Sequence, residues 1–329
     1  MPSSEVLVMR GRQVPLGGVR SIYVRRTLPH RDRAFVGAWC FIDHYGPTEI
    51  RLAVDADEPQ GPIADANPTG THDGAMDLPP HPHTGLQTVS WLFEGELEHH
   101  DSGGGHGIIR PGEVNLMTAG AGIAHSEVST PATTRLHGVQ LWVALPDAAR
   151  ATGRRFEHHA PPRVELRGVG AARVFIGELT GIDRSPVHTF TPLLGAELTL
   201  QPGAAVALAV ETAYEHGVLL DSGEVTVEDV PLEPGDLGCV DAGPDRLRLR
   251  AGSAGARVLL LGGEPFDEEI VMWWNFVGRS HDEIAAYRQG WESGSLRFGT
   301  VKGYAGRAPR VPAPPLPAVR LKPRGRHPR

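Results

Sequence analysis

A chain of 329 residues with 41 glycines and 29 prolines is long enough to bury one large core or two of ordinary size, and two is the better expectation. Its formal net charge of −7 argues against direct nucleic-acid binding, which needs a basic surface, and no window approaches the roughly 18 apolar residues of a membrane-spanning helix. Cys40 and Cys239 are too few and too isolated for a disulfide framework or a thiolate metal site, which predicts a reducing, cytoplasmic setting.

Abundant turn formers and few aromatics favour a β-rich architecture over a helical one. Residues 1–20 carry no apolar leader core, and the bursts Val6-Leu7-Val8 and Ser21-Ile22-Tyr23-Val24 predict edge strands. Gly37 to Asp43 is a continuous apolar run closed by Tyr45-Gly46-Pro47, the pattern of a buried strand. Residues 55–79, rich in Pro, Gly, Asp and Ala, predict a loop that delivers the chain to the stretch that follows and borders its pocket.

That stretch carries the chemistry. Side chains alternate between the two faces of a strand, so His81 and His83 share one face and His125 and Glu127 share one face of a second strand. Two such pairs facing each other make a four-ligand pocket, with Glu94-Gly95-Glu96 and Arg110-Pro111-Gly112-Glu113 as turns between short strands. Three imidazoles and one carboxylate suit a divalent first-row ion and leave one or two octahedral positions open; the donor set alone accepts Fe, Mn, Ni, Co, Cu or Zn. His99, His100 and His106 flank Gly103-Gly104-Gly105 and read as solvated. In His137 to Val143, Val139, Leu141 and Val143 alternate with Gln140 and Trp142, so one set packs in the wall; His137 and Gln140 are candidates to line the pocket.

Residues 146–162 form the best linker candidate, giving an expected division into 1–146 and 147–329. A duplication supports it: Gly95-Glu96, Pro111-Gly112 and Ala119-Gly120 are echoed by Gly223-Glu224, Pro234-Gly235 and Ala242-Gly243. Carrying the ligands across by these offsets lands His81 and His83 on Ala209 and Glu211, and His125 and Glu127 on Arg248 and Arg250. The expectation is therefore one metal, in the first half, and cations lining the second. Ser280-His281-Asp282-Glu283 is a capping box that opens a helix over about 280–292, with Ile284, Tyr287 and Trp291 on its packing face. Trp273-Trp274 predicts an apolar segment docking between the halves, and the basic, proline-rich tail 307–329 a strap across the acidic body.

The motifs His81-Pro82-His83 with Gly85 and Thr88-Val89, His100-Asp101-Ser102, Met117-Thr118-Ala119-Gly120, Gly122 to Glu127 and the later Gly263-Glu264-Pro265 resemble the pirin family of the cupins. The resemblance implies an all-β fold of two jelly-roll (cupin) barrels face to face, with the first holding one metal, Fe(II) by preference, on His81, His83, His125 and Glu127. It implies a dioxygenase of flavonols or other phenols, of the quercetin 2,3-dioxygenase kind, in which Glu127 accepts the substrate's proton. An alternative is an iron-dependent regulator that binds a transcription factor or a metabolic enzyme, and a third is a metal-binding cupin with an unrelated substrate. Gln87 stands where the family pattern often has Glu, and strand parity with the histidines would make it an outer partner of the metal ligands. The chain is expected to act as a monomer with a small phenolic substrate or a protein partner.

Overall fold

A computed structural model describes residues 5–15, 23–50, 71–72, 76–306 and 308–326. The expected loop over 55–79 and the burst at Ser21-Ile22 fall largely outside them.

Three sheets make two barrels. In the first, a sheet ordered Arg155–His159, Val114–Thr118, Leu86–Glu94, Arg135–Ala144, Trp39–Ile50, Tyr23–Leu28 and Arg12–Pro15 faces a smaller one ordered Asp77–His83, Ile123–Ser129, Leu97–Asp101 and His106–Ile109. The second barrel is one curled sheet ordered Val6–Met9, Leu237–Val240, Glu215–Val227, Arg246–Gly263, Leu193–Leu200, Gly170–Leu179 and Val164–Leu166. Its two longest strands pair with register shifts at Leu220/Ser222 and Gly223/Val225, and such bulges supply the extra twist that lets a single sheet close on itself. The duplicated turns share a conformation as well as a sequence, since Gly95 and Gly223 have φ of 86° and 81°, and Gly112 and Gly235 have 78° and 87°. No helix among the described residues is long and apolar enough to cross a membrane.

The outer face of the first barrel supplies the interface. Val139, Leu141 and Val143 pack in one core with Phe175, Leu219, Leu259 and Leu261 of the second barrel. Trp39 donates its indole N–H to the carbonyls of Leu194 and Gly262, each 3.2 Å away, and Trp91 stacks on Phe175 at 4.6 Å. Indoles suit this position because they bury a large apolar body while the N–H keeps a partner.

The expected division at 146/147 is crossed from both sides. Val6–Met9 pairs with Leu237–Val240 of the second barrel, and Arg155–His159 pairs with Val114–Thr118 of the first. Edge strands recruit whatever segment can reach their open hydrogen-bonding row, irrespective of sequence order. The helix His281–Glu292 is capped by Ser280, whose side chain accepts from Glu283 N, and it buries Ile284 and Trp291. These pack with Ala124, Val271, Phe276 and Phe298, so the helix covers the first barrel although it follows the second in sequence. Beyond it the tail straps back: Val311 N donates to Pro80 O at 2.8 Å, Tyr304 to Asp77 at 2.7 Å, and Arg320 pairs with Asp282 at 2.7 Å.

The cations expected inside the second barrel are not there. Ala209, Glu211, Arg248 and Arg250 are all exposed, and Leu247, Leu249, Leu208 and Val225 fill the lumen instead. The duplicated offsets differ by several residues between turns, and in a strand a slip of one residue exchanges the faces.

Candidate metal centre

Asp77–His83 and Ile123–Ser129 run antiparallel with His81 opposite His125 and His83 opposite Ile123. The register shifts between His125 and Glu127, which re-aims Glu127. His81, His83 and His125 are buried, and each offers a ring nitrogen within 4.8 Å of the others; Nε2 of His83 and Nε2 of His125 are 3.0 Å apart. Glu127 is brought within that range of His125 and His99 but not of all three histidines. It still lines the same cavity.

For His81 and His125, hydrogen bonds on the far side of the ring fix which nitrogen is free. Nδ1 of His81 donates to Pro79 O at 2.9 Å, leaving Nε2 with its lone pair toward the cluster. Behind His125 runs a longer chain. Asp101 Oδ1 accepts from Gly103 N (2.7 Å) and Gly105 N (2.9 Å), and its Oδ2 lies 3.3 Å from His99 Nε2. His99 Nδ1 is 3.3 Å from His125 Nδ1, and the His99 ring stacks on Phe156 at 4.6 Å. A carboxylate accepts from His99 Nε2–H, so His99 Nδ1 accepts from His125 Nδ1–H, and His125 Nε2 is left unprotonated. Carboxylate-backed histidines of this kind orient metal ligands.

Burial drives all three rings toward the neutral, ligating form. It pushes His81 down to about 4, and it holds His83 and His125 well below the ordinary imidazole value, with their neighbouring imidazoles adding to the effect. Nδ1 of His83 is buried and makes no hydrogen bond of good geometry, with the Asn275 backbone as its nearest polar influence. Convergent, dry, neutral imidazoles beside a carboxylate fit a divalent first-row ion and make a poor hydrogen-bonding core. Burial also raises the Glu127 carboxyl above its ordinary value, opposed by His99 and by Ser90.

The cavity beside the histidines measures about 240 Å³. Phe41 and Trp142 stack in its wall at 3.9 Å, and Trp142 meets His83 edge-on. Arg26 forks onto Asp43 with two 2.7 Å bonds and lies 4.4 Å over the Phe41 ring. Burial raises the Asp43 carboxyl, and Arg26 opposes that. Trp274 and Asn275, at the tip of the hairpin Val271–Trp273/Phe276–Gly278, and Val311 of the strap complete the lining.

Several expectations change here. Gln140 lines the cavity, and Ser90 Oγ lies between its amide (2.9 Å) and Glu127 (3.1 Å). His137 does not line it; it faces the second barrel with His44 and Asp221. Gln87 is no partner of the histidines, since its Nε2 donates to Thr118 and to His188 O, both at 3.0 Å. The parity argument failed because Gly85, at φ 68°, breaks the strand between His83 and Gln87. His99 is buried rather than solvated, while His106 is exposed as expected. The strand Leu97–Asp101 buries Leu97, His99 and Asp101 in alternation, a period-two signal present in the sequence. The Trp273-Trp274 segment reaches the cavity of the first barrel rather than a seam between the two.

Residues 21–143 match the family described as Pirin, and residues 195–299 match the Pirin C-terminal cupin domain. A Pseudomonas aeruginosa protein named "Putative quercetin 2,3-dioxygenase" is 42% identical over 307 residues, covering 93% of this chain and 89% of that one. A "Pirin-like protein" of Caulobacter vibrioides is 34% identical, with 89% and 94% coverage. Among solved structures, a quercetin 2,3-dioxygenase from Acinetobacter baumannii superposes with a TM-score of 0.83 at 35% identity, covering 96% of this chain and 97% of the other. A bacterial pirin from Escherichia coli in complex with nickel(II), 18% identical with a TM-score of 0.56 over 80% of this chain and 100% of that one, shares the fold. The duplicated jelly-roll barrels and these matches along most of the sequence establish that the chain belongs to the pirin family.

Proposed function

We propose that this pirin is a mononuclear metal-dependent dioxygenase of a flavonol or another phenol, with Fe(II) held by His81, His83, His125 and Glu127. The observation that carries the reading is the convergence of three buried, neutral imidazoles on a cavity walled by Phe41, Trp142 and Trp274. Two of the relatives bear quercetin 2,3-dioxygenase names, which supports the same chemistry. Bound iron supplies Lewis acidity and the one-electron chemistry through which dioxygen reacts with an electron-rich ring.

The protein's own groups do the rest. The stacked aromatics present flat apolar faces to a planar ring, and the Arg26–Asp43 fork gives the wall one polar, charge-balanced patch for ring hydroxyls. Glu127 receives the proton of the substrate hydroxyl, and the Ser90 hydroxyl, whose one proton is shared between Glu127 Oε1 and Gln140 Oε1, positions it. The hairpin tip and Val311 exclude bulk water. At about 240 Å³ the cavity lies just under the ~300–1,000 Å³ of typical ligand sites, which suits a small aromatic substrate rather than a polymer.

The test is oxygen uptake by anaerobically purified, iron-loaded protein with a panel of phenols that includes a flavonol. Iron-dependent uptake with at least one is expected. No uptake with any of them at full iron occupancy overturns the enzyme reading and leaves the regulator.

A further inference from the structure

A second cluster of metal-type donors lies where the barrels meet, outside the cavity. His44 comes from Trp39–Ile50 and His137 from Arg135–Ala144, both of the first barrel, and Asp221 comes from Glu215–Val227 of the second. Nε2 of His44 and Nε2 of His137 are 3.2 Å apart. Asp221 Oδ1 lies 2.8 Å from the first and 2.7 Å from the second. The side chains are 7%, 4% and 0% exposed, so this is a dry convergence of three donor atoms. The same facing of two Nε2 atoms, at 3.0 Å, occurs between His83 and His125 at the candidate metal centre.

Two accounts compete for this geometry. As a hydrogen-bonded knot, one carboxylate oxygen must accept from two imidazoles whose nitrogens crowd each other. As an ion site, bonds of about 2.0–2.1 Å in a tetrahedron set neighbouring ligand atoms about 3.3 Å apart, close to the spacing of the two nitrogens. The oxygen then moves outward by roughly half an ångström to match. Its partner oxygen is already braced: Asp221 Oδ2 accepts from Arg257 Nε at 2.7 Å, the outer support that ligating carboxylates commonly have. The Arg257 guanidinium lies 4.2 Å over Phe93 with its Nη2 3.4 Å from His137 Nδ1, and Glu94 Oε1 stands 3.8 Å from the same nitrogen, so ligation through Nε2 requires His137 to carry its proton on Nδ1 and turn it to Glu94 rather than accept from Arg257.

We propose that His44, His137 and Asp221 form a second divalent-cation site, of the zinc class, that spans the two barrels. Two imidazoles, one carboxylate and a water make a four-coordinate set, whereas the first centre, with three imidazoles and Glu127, keeps open octahedral positions. The expectation of one metal per chain came from searching each barrel for its own ligands; this site belongs to neither alone. Its role is a clamp, since the ligands from the two barrels have no backbone pairing with each other.

The test counts ions. Chelator-stripped wild-type protein is titrated with Zn²⁺ and, separately, Co²⁺, with equivalents read by elemental analysis and the four-coordinate site read by the visible absorption of Co²⁺. Two equivalents are expected for wild type and one for Asp221→Asn, His137→Gln or His83→Ala. The equivalent kept by Asp221→Asn reports that the variant is folded, and the one kept by His83→Ala, carrying the four-coordinate Co²⁺ spectrum, isolates the new site without altering it. One equivalent in wild type that is lost entirely in His83→Ala overturns the proposal. So does a second equivalent that Asp221→Asn and His137→Gln both leave in place.

Discussion

The two barrels share a duplicated plan and use their interiors in opposite ways. In the first, the small sheet and its partner hold His81, His83, His125, Glu127 and Gln140 around a cavity, and the apolar filling is confined to one end, around Leu92, Leu97, Ile109 and Leu136. In the second, Leu208, Val218, Leu220, Leu247, Leu249 and Leu260 pack together in the lumen. Close-packed apolar side chains stabilise, and a cavity lined by buried imidazoles costs stability. One copy keeps a histidine-lined cavity while the other is close-packed, and the shared core of Trp39, Val139, Phe175 and Leu259 couples them.

The comparison predicts where each kind of damage falls. Glu127→Gln should keep most of the iron yet lose turnover by about 10²–10⁴, the range for a general base, measured as oxygen uptake per bound iron. Undiminished turnover would remove that role. Leu249→Ala, in the packed lumen, should lower unfolding free energy by about 2–5 kcal/mol in a denaturant titration. His83→Ala or chelation should instead empty the first centre and leave one cooperative transition. If His83→Ala unfolds the chain and Leu249→Ala does not, the division of labour is wrong.

A smaller effect is the acid response of the second barrel, which adds to that of the buried histidines of the first. Burial pushes His216 of the second barrel down to about 4, below its unfolded value of 6.5. Between those values the unfolded chain binds the extra proton, so stability is present above about 6.5 and lost as pH falls toward 4, by about 3 kcal/mol in all. His216→Gln should flatten that part of the curve of denaturant midpoint against pH; an unaltered slope would mean that other groups carry it. The smallest effect is at the outer partner of the metal centre. Asp101→Asn should weaken metal affinity by about 10–100-fold in chelator competition, because an amide no longer enforces the His99 and His125 tautomers. Unchanged affinity would make the Asp101–His99 chain a packing feature only.

What could be read from the sequence was local. His81 and His83 sit on one uninterrupted strand, where alternation holds, and the helix at 281–292 announces itself by its cap. The reading broke wherever alternation was carried across a break in strand geometry. Gly85 turned Gln87 away, and the slipping offsets of the duplication put Arg248 and Arg250 outside. Trp274, Asn275 and Val311 reach the cavity from more than a hundred positions along the chain, and no periodicity encodes such contacts. Asp221 belongs to the same class, since its partners His44 and His137 are in the other barrel.

The crossing of the termini has a consequence for the order in which the protein is made. The first strand, Val6–Met9, is synthesised early but has its partner at Leu237–Val240, and the three histidines precede the hairpin tip and strap that cover them. About 180 positions separate Glu127 from Val311, which at ~5–20 residues per second is roughly 10–40 s of translation. For that interval the nascent histidine cluster is an open face rather than an enclosed cavity, able to meet any ion in its surroundings. A ribosome that stalls after the second barrel leaves a product with its histidine cluster in place and the cavity beside it unroofed.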